Sequence, residues 1–343
     1  MKKISYSILV VALASISLAF VATKTPSLLP YHGRSIVFYN VENLFDTINQ
    51  PDVIDEDFLP TGKLKWNTKR YQLKLNHIVE ALTFNLAENP LMIGLVEVEN
   101  DAVVMDVAKT GRLASTNYQL VHKNSPDARG IDCALLVDAS RLKVLTSEFL
   151  TVSIDTIPNF KTRDILYVKG LLAGNKTVHV FVNHWPSRRG GEKESEIRRV
   201  QAALVARKKI NEILAQDPKA NILLMGDFND HPSDKSMDEV LGAKQLSDNS
   251  ALLYNLLYDD QLAGKGTHSY QGKWGVLDQF VVSRGLFTGK SGVKLSPKDA
   301  TIVYEEKLLF TQKDGNKKPA TTYGGDNYYG GYSDHLPIQL RLK

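Results

Sequence analysis

Apolar residues along the chain recur with two different periods, and the switches between them outline the elements. Residues 35–39 form a short β-rich run that stops at Asn40. Residues 51–65 hold Pro, Asp and Gly and read as a loop. From Asn67 or Thr68, either able to cap a helix, Leu75, Ile78, Val79, Leu82 and Leu86 return at helical spacing. Residues 91–96 are a continuous apolar run of the buried-strand type, ending at Glu97. Strand runs follow at 118–121, 132–137, 142–151, 165–172 and 178–183, with Gly174-Asn175 as the turn between the last two. A second helix over 194–215 is expected to carry Ile197, Val200, Leu204, Ile210 and Ile213 toward a core. Strands at 221–225, 276–282 and 338–342 complete the set. Many strands with two or three helices predict an α+β architecture of two packed sheets flanked by helices.

The chain has 343 residues, 43% hydrophobic and 23% charged, within the range of a soluble globular protein and long enough for one large domain. The first residues read differently. Lys2 and Lys3 precede an apolar run from Ile8 to Phe20, and Ser17-Leu18-Ala19 offers a small-x-small cleavage site. This predicts a signal peptide over 1–19, with cleavage as late as residue 22 or an uncleaved anchor as alternatives. A spacer over 20–33 and a single domain over 34–343 would follow. The location expected is periplasmic or secreted. The net charge of +4 includes Lys2 and Lys3, so bulk charge does not mark a nucleic-acid binder, and any basic surface must be local. The lone cysteine, Cys133, cannot form an internal disulfide or a thiolate cluster and reads as a small buried hydrophobe.

One pattern repeats at the strand ends: an apolar run stops, and Asp, Glu, Asn or His follows at once. It occurs at Asn40 and Glu42, at Glu97, at Asn183-His184, at Gly226-Asp227-Phe228-Asn229, at Leu277-Asp278 and at Ser333-Asp334-His335. A single Asp after a strand is most often a turn residue. Six such ends converging on one pole would instead crowd carboxylates together, which a cation must neutralise. Hard oxygens without a thiolate select Mg²⁺, Mn²⁺ or Ca²⁺ over zinc.

In this order, the six ends resemble the signatures of the endonuclease/exonuclease/phosphatase superfamily, the deoxyribonuclease I-like fold. The likeness runs from Asn40 to His335. It implies a four-layer α-β-β-α sandwich with two packed, mostly antiparallel sheets, and metal-dependent hydrolysis of a phosphoester by water. By position it implies Glu97 as the principal metal ligand, with Glu42, Asn40 and Asp334 near the ion. Asp227 resembles the family's water-orienting or proton-accepting carboxylate, and Asn229 the amide that holds the scissile phosphate. Asp278 would orient His335, which contacts the phosphate or shuttles a proton. His184 matches the histidine of the nuclease and sphingomyelinase branches, and Asp132 stands where its acidic partner would be.

Other residues carry two readings. Arg129, Arg188 and Arg189 flank the strand ends and either hold neighbouring phosphates bidentately or are simply solvated. His77 and His179 fall within regular elements and read as structural, while His231 before Pro232 reads as a turn residue or a substrate contact. Trp185 and Trp274 either pack or stack on a base. Residues 323–332, four tyrosines among four glycines, form a stacking loop or pack down on the domain. The leading expectation is an exported nuclease with nucleic acid as its partner. The alternatives are a phosphatase or phosphodiesterase on small or lipid phosphoesters, and a binding module with a degenerate site.

Overall fold

The computed structural model describes residues 27–51, 53–290 and 292–343. The expected signal peptide lies outside them. Thirteen strands build two sheets. We label them β1 (Ser35–Leu44), β2 (Met92–Val98), β3 (Tyr118–Val121), β4 (Asp132–Asp138), β5 (Leu142–Leu150), β6 (Ile165–Leu172), β7 (Lys176–His184) and β8 (Ile222–Asp227), then β9 (Ala243–Lys244), β10 (Leu253–Asn255), β11 (Asp278–Ser283), β12 (Leu295–Ile302) and β13 (Ile338–Leu342). The first sheet runs β12-β13-β1-β2-β4-β3 and the second β5-β6-β7-β8-β11-β10-β9. Pairing is mostly antiparallel; β1/β2, β7/β8 and β9/β10 are parallel. Three longer helices accompany them: α1 (Thr68–Thr83), α2 (Asp101–Ala108) and α3 (Glu192–Gln216).

Strand alternation explains the layering. In β1, Ile36 and Phe38 point to one face and Val37 and Tyr39 to the other, as the period of two requires. Ile36 and Phe38 join Leu135, Val180, Met225 and Phe280 in the core between the sheets. Val37 and Tyr39 instead meet Leu75, Ile78 and Leu82 of α1 and Val103 and Val107 of α2. On the far side Phe181, Leu224 and Val281 face Ala202, Ala206 and Ile210 of α3. These three apolar layers make the expected four-layer α-β-β-α sandwich. Cys133 is buried in the central layer, and burial pushes its thiol well above the usual range.

The α1 cap is as read: Asn67 accepts from the Arg70 N–H at 3.2 Å, and Leu75, Ile78, Val79 and Leu82 are buried. Leu86 lies beyond the last turn. Helix α3 departs from the expectation, since Ile197 and Leu204 are about half exposed. Its inward stripe is Ser195, Arg199, Ala202, Ala203, Ala206, Ile210 and Ile213. Small residues let this helix lie close on the sheet, and Arg199 is buried because it pairs with Asp230 at 2.6 Å. The expected spacer also contributes to the fold, for Tyr31 is buried in the central layer.

Candidate active site

Strand register places the polar ends together. His184 is paired across the parallel β7/β8 ladder with Asp227, and Asp227 is paired across the antiparallel β8/β11 ladder with Asp278. Three neighbouring strands of one sheet therefore present His, Asp and Asp side by side. Gly226 allows this approach: a Cβ there would lie 2.5 Å from the Asn183 carbonyl oxygen. The other sheet brings Asn40 from β1 and Glu97 from β2, and the loop before β13 brings Asp334 and His335. The ladders become irregular here, and Glu42, Asn43, Glu97 and Asn229 all adopt positive φ of 51–63°. Such backbone is costly for side-chain-bearing residues, and its concentration at one pole marks a site the fold holds against local preference.

Asp227 is the hub. Its Oδ1 accepts from the Asn229 N–H at 2.9 Å and its Oδ2 from the Asn40 amide at 3.1 Å. His184 Nε2 and His335 Nε2 stand 3.5 and 3.8 Å from Oδ2. Burial, with the Asp278 charge adding to it, pushes the Asp227 carboxyl up to about 7, against the opposing pull of His335 and its hydrogen bonds. His335 Nδ1 lies 2.7 Å from Asp278 Oδ2. Burial alone would lower the His335 pKa, but Asp278, Asp227 and Asp334 outweigh it and raise it well above the usual imidazole range. His184 moves the other way: burial, then Arg163, Arg129 and His335, hold it well below that range, so it is neutral at physiological pH. Two imidazoles in one pocket are thus pushed in opposite directions, the separation that acid–base chemistry uses.

The remaining predicted residues divide. Glu97 faces the pole; its Oε2 accepts from the Asn43 N–H at 3.0 Å, and its Oε1 is 3.7 Å from His184 Nε2. Asn229 donates to the Trp185 carbonyl at 3.0 Å. Glu42 departs from the expected ligand set. Its carboxylate is held by the Thr321 hydroxyl and by the N–H groups of Thr322 (2.7 Å) and Tyr323 (3.3 Å), so it anchors the segment leading to Asp334. Asp132 is not placed on His184. It accepts from the Ser125 N–H at 2.7 Å and faces His122 Nε2 at 3.3 Å, because it opens a strand of the other sheet. His184 Nδ1 is left without a partner.

Arg188 departs from the phosphate-holding expectation as well. Its guanidinium meets the Asn229 carbonyl at 2.8 Å, Glu192 at 2.9 Å, Asp230 at 3.2 Å and Asp234 at 2.6 Å, so its charge is already matched. Arg129 is half exposed at the rim. A cleft of about 740 Å³ opens beside Asn229, lined among others by Arg189, His231, Tyr270, Lys273 and Trp274. Trp185 packs: it is buried, donates to Asn183 and meets Phe228 edge-on. His77 stacks on Tyr332, and His179 bonds the Tyr167 hydroxyl, both structural. In the 323–332 segment Tyr323, Tyr328 and Tyr332 pack down, and Tyr329 is exposed.

Two groups near the pole escaped the sequence reading. Lys74 is buried on α1, donating to the Thr322 hydroxyl at 2.6 Å and the Tyr332 carbonyl at 2.7 Å. A lysine on the apolar face beside Leu75 and Ile78 was its signal. Arg163 donates to the carbonyls of His184 (3.2 Å) and Trp185 (2.7 Å) and pairs with Asp127 at 3.0 Å. It precedes β6 with no pattern to single it out.

The donor set can be tested against a divalent cation. Compact groups of possible ligand atoms occur at Asp227, Asp278 and His335, and at His268, Asp334 and His335. Glu97 keeps Oε1 free of backbone donors. A buried pole that gathers Asp227, Asp278, Asp334 and Glu97 offers oxygen donors that fit a hard divalent ion.

The comparisons agree with this geometry. The sequence profile of the Endonuclease/Exonuclease/phosphatase family matches residues 35–343. A search of curated proteins returned no match. Among solved structures, D. rerio TDP2 complexed with single strand DNA product is 16% identical, covering 90% of this chain and 98% of that one, with a TM-score of 0.53. An endonuclease/exonuclease/phosphatase family protein from Bacteroides thetaiotaomicron is 14% identical over 90% and 94%, with a TM-score of 0.55. The human Nocturnin catalytic domain with bound sulfate anion is 16% identical over 92% and 96%, with a TM-score of 0.53. At these identities the likenesses establish the fold. With the profile spanning nearly all the described residues, the chain belongs to the endonuclease/exonuclease/phosphatase family and is a hydrolase of phosphoester bonds.

Proposed function

We propose that this chain is an exported, divalent-metal-dependent phosphodiesterase that hydrolyses nucleic-acid strands. The observation that carries the reading is the convergence on buried Asp227 of His184 and His335, whose Nε2 atoms stand 3.5 and 3.8 Å from its Oδ2, with Asn40 bonded to it at 3.1 Å and Glu97 Oε1 3.7 Å from His184. Glu97 would be the principal ligand for Mg²⁺ or Mn²⁺, with Asn40 and Asp334 beside it, and the ion would polarise a phosphoryl oxygen and offset charge on the departing one. Asp227, fixed by Asn40 and Asn229, orients the attacking water and accepts its proton. His335, held by Asp278, donates Nε2–H to a phosphoryl oxygen. The Asn229 amide and neutral His184 complete the polar wall around the phosphate.

The cleft beside Asn229 favours a substrate larger than a monoester. Arg189 and Lys273 are exposed there, and neither has an ion partner among the described residues, while Tyr270 is exposed and Trp274, packed against Tyr304, borders the cleft. Unmatched cations with aromatic faces suit a strand with phosphates and bases in alternation. The TDP2 structure of the same fold is complexed with a single strand DNA product, which is consistent with this reading. Export rests on the charged and apolar pattern of residues 2–20. The test is a panel of single-stranded DNA, duplex DNA, RNA, sphingomyelin and bis-p-nitrophenyl phosphate, each at low and high salt in Mg²⁺. Cleavage of nucleic acid with steeper salt inhibition than the small diester supports the reading. Turnover of the small diester or sphingomyelin alone would replace it.

A further inference from the structure

Beside the carboxylate pole lies a group of different chemistry. His268, from the short strand His268–Tyr270, faces His335 across a single antiparallel backbone pairing, tied by the Leu336 N–H to the Thr267 carbonyl at 2.7 Å. The two imidazole rings are 4.8 Å apart at their centroids. One ring nitrogen from each histidine and one oxygen of Asp334 all lie within 4.8 Å of one another. The ring nitrogens of His268 make no hydrogen bond among the described residues, and the ring borders the open cleft.

We propose that His268, Asp334 and His335 form a second cation site, of two nitrogens and one oxygen, that takes a borderline metal such as Zn²⁺ and blocks the reaction when filled. Two imidazoles and a carboxylate, with a fourth position open to water, are a ligand set zinc accepts and Mg²⁺ does not seek. The tautomer of His335 supports it. Asp278 Oδ2 at 2.7 Å holds the proton on Nδ1, so zinc would displace the Nε2 proton to solvent and take that nitrogen's lone pair, the orientation a carboxylate imposes on metal-bound histidines. Ligand atoms around a tetrahedral zinc lie roughly 3.4 Å apart for bonds of about 2.1 Å. The three atoms stand within 4.8 Å of one another, so zinc would have to draw them in to that spacing, with His268 at the border of the cleft. The zinc would occupy His335 Nε2 and draw Asp334 away from the oxygen-preferring site around Glu97, so hydrolysis stops while Mg²⁺ remains available.

The experiment is a calorimetric titration of the metal-free chain with Zn²⁺ in millimolar Mg²⁺, for wild type, His268→Gln and His268→Cys. Wild type should bind zinc, His268→Gln about tenfold or more weakly, and His268→Cys should recover binding through its thiolate. Titration with Co²⁺ adds a signature that a structural role cannot produce, a thiolate-to-metal absorption band in His268→Cys alone. A His268→Gln variant that matches wild type in zinc affinity, a wild type without zinc binding, or a His268→Cys variant without that band would overturn the site. Inhibition is then read as each variant's Mg²⁺-supported rate with and without zinc: wild type should be inhibited and His268→Gln should resist. Inhibition independent of residue 268 would overturn the blocking role. That last arm rests on the proposed reaction, whereas the binding titration needs no turnover, so the two can fail separately.

Discussion

Asp278→Asn isolates charge from geometry at the pole. Asp278 is fully buried and its Oδ2 lies 2.7 Å from His335 Nδ1. An asparagine keeps the accepting oxygen, so the His335 ring and its tautomer stay in place while the negative charge disappears. A hydrogen bond to a charged group contributes about 1.5–3 kcal/mol. One pKa unit corresponds to about 1.4 kcal/mol, so the His335 pKa should fall by about one to two units. The direction follows from the raised His335 pKa. With ionised Asp227 as the base and protonated His335 as the donor, kcat/KM is highest between their two pKa values and declines above that of His335. The alkaline limb of the variant should therefore move to lower pH by about one to two units. Stability shifts in the same sense. A raised imidazole pKa stabilises the fold fully below the unfolded value of about 6.5 and ceases to do so as pH rises through the folded pKa. The Tm deficit of Asp278→Asn should thus be largest in mild acid and shrink in alkali. The assay is a pH profile on a small chromogenic diester, with thermal melts across the same buffers. An alkaline limb at the same pH in parent and variant would refute the assignment of His335 as the charged donor.

Other consequences follow from ion pairs the sequence hid. Arg199→Met removes the 2.6 Å partner of buried Asp230 and should cost about 3–5 kcal/mol in urea unfolding, reduced to the extent that Arg188 and Ser236 still hold that carboxylate; a loss under about 1 kcal/mol would mean the pair is not needed. Arg188→Ala should slow nucleic-acid and small-diester hydrolysis alike, since its guanidinium holds the Asn229 carbonyl, whereas Arg189→Ala should raise KM on nucleic acid alone. The reverse pattern would exchange their roles. His122 lies between Asp101 (2.5 Å) and Asp132 (3.3 Å); burial lowers its pKa, but the two carboxylates prevail and raise it. Its contribution is present below the unfolded value and lost as pH rises, so the Tm penalty of His122→Gln should be greater near pH 6 than near pH 8.5. An equal penalty at both would assign His122 a packing role only.

What the sequence showed clearly was periodicity. Strands at 118–121, 165–172 and 338–342 match the structure to the residue, because alternation and tight turns such as Gly174-Asn175, both at positive φ, are local signals. The polar strand ends were legible for the same reason. What each end touches was not, since that depends on register between distant strands. Asp132 carries the right residue type at a strand end, yet its ladder places it against His122. Glu42 follows Asn40 by two residues, yet positive φ at 42 and 43 turns its carboxylate to Thr321–Tyr323. Helix α3 misled in another way, since Ile197 and Leu204 follow helical spacing while the buried stripe is built from alanines and a paired arginine. A hydrophobicity pattern ranks alanine below isoleucine, but close packing on a sheet favours the smaller side chain.

The central claim is metal-assisted hydrolysis at the pole built around Asp227 and Glu97, and chelation tests it most directly. The chain should be freed of metal with EDTA and assayed on bis-p-nitrophenyl phosphate and single-stranded DNA. Mg²⁺ or Mn²⁺ is then returned, with Asp227→Asn run beside the wild type. The account predicts no turnover in EDTA, recovery with either ion, and a loss of roughly 10²-fold or more in the variant at every metal concentration. Full turnover in EDTA, or a variant within a few-fold of wild type, would contradict it.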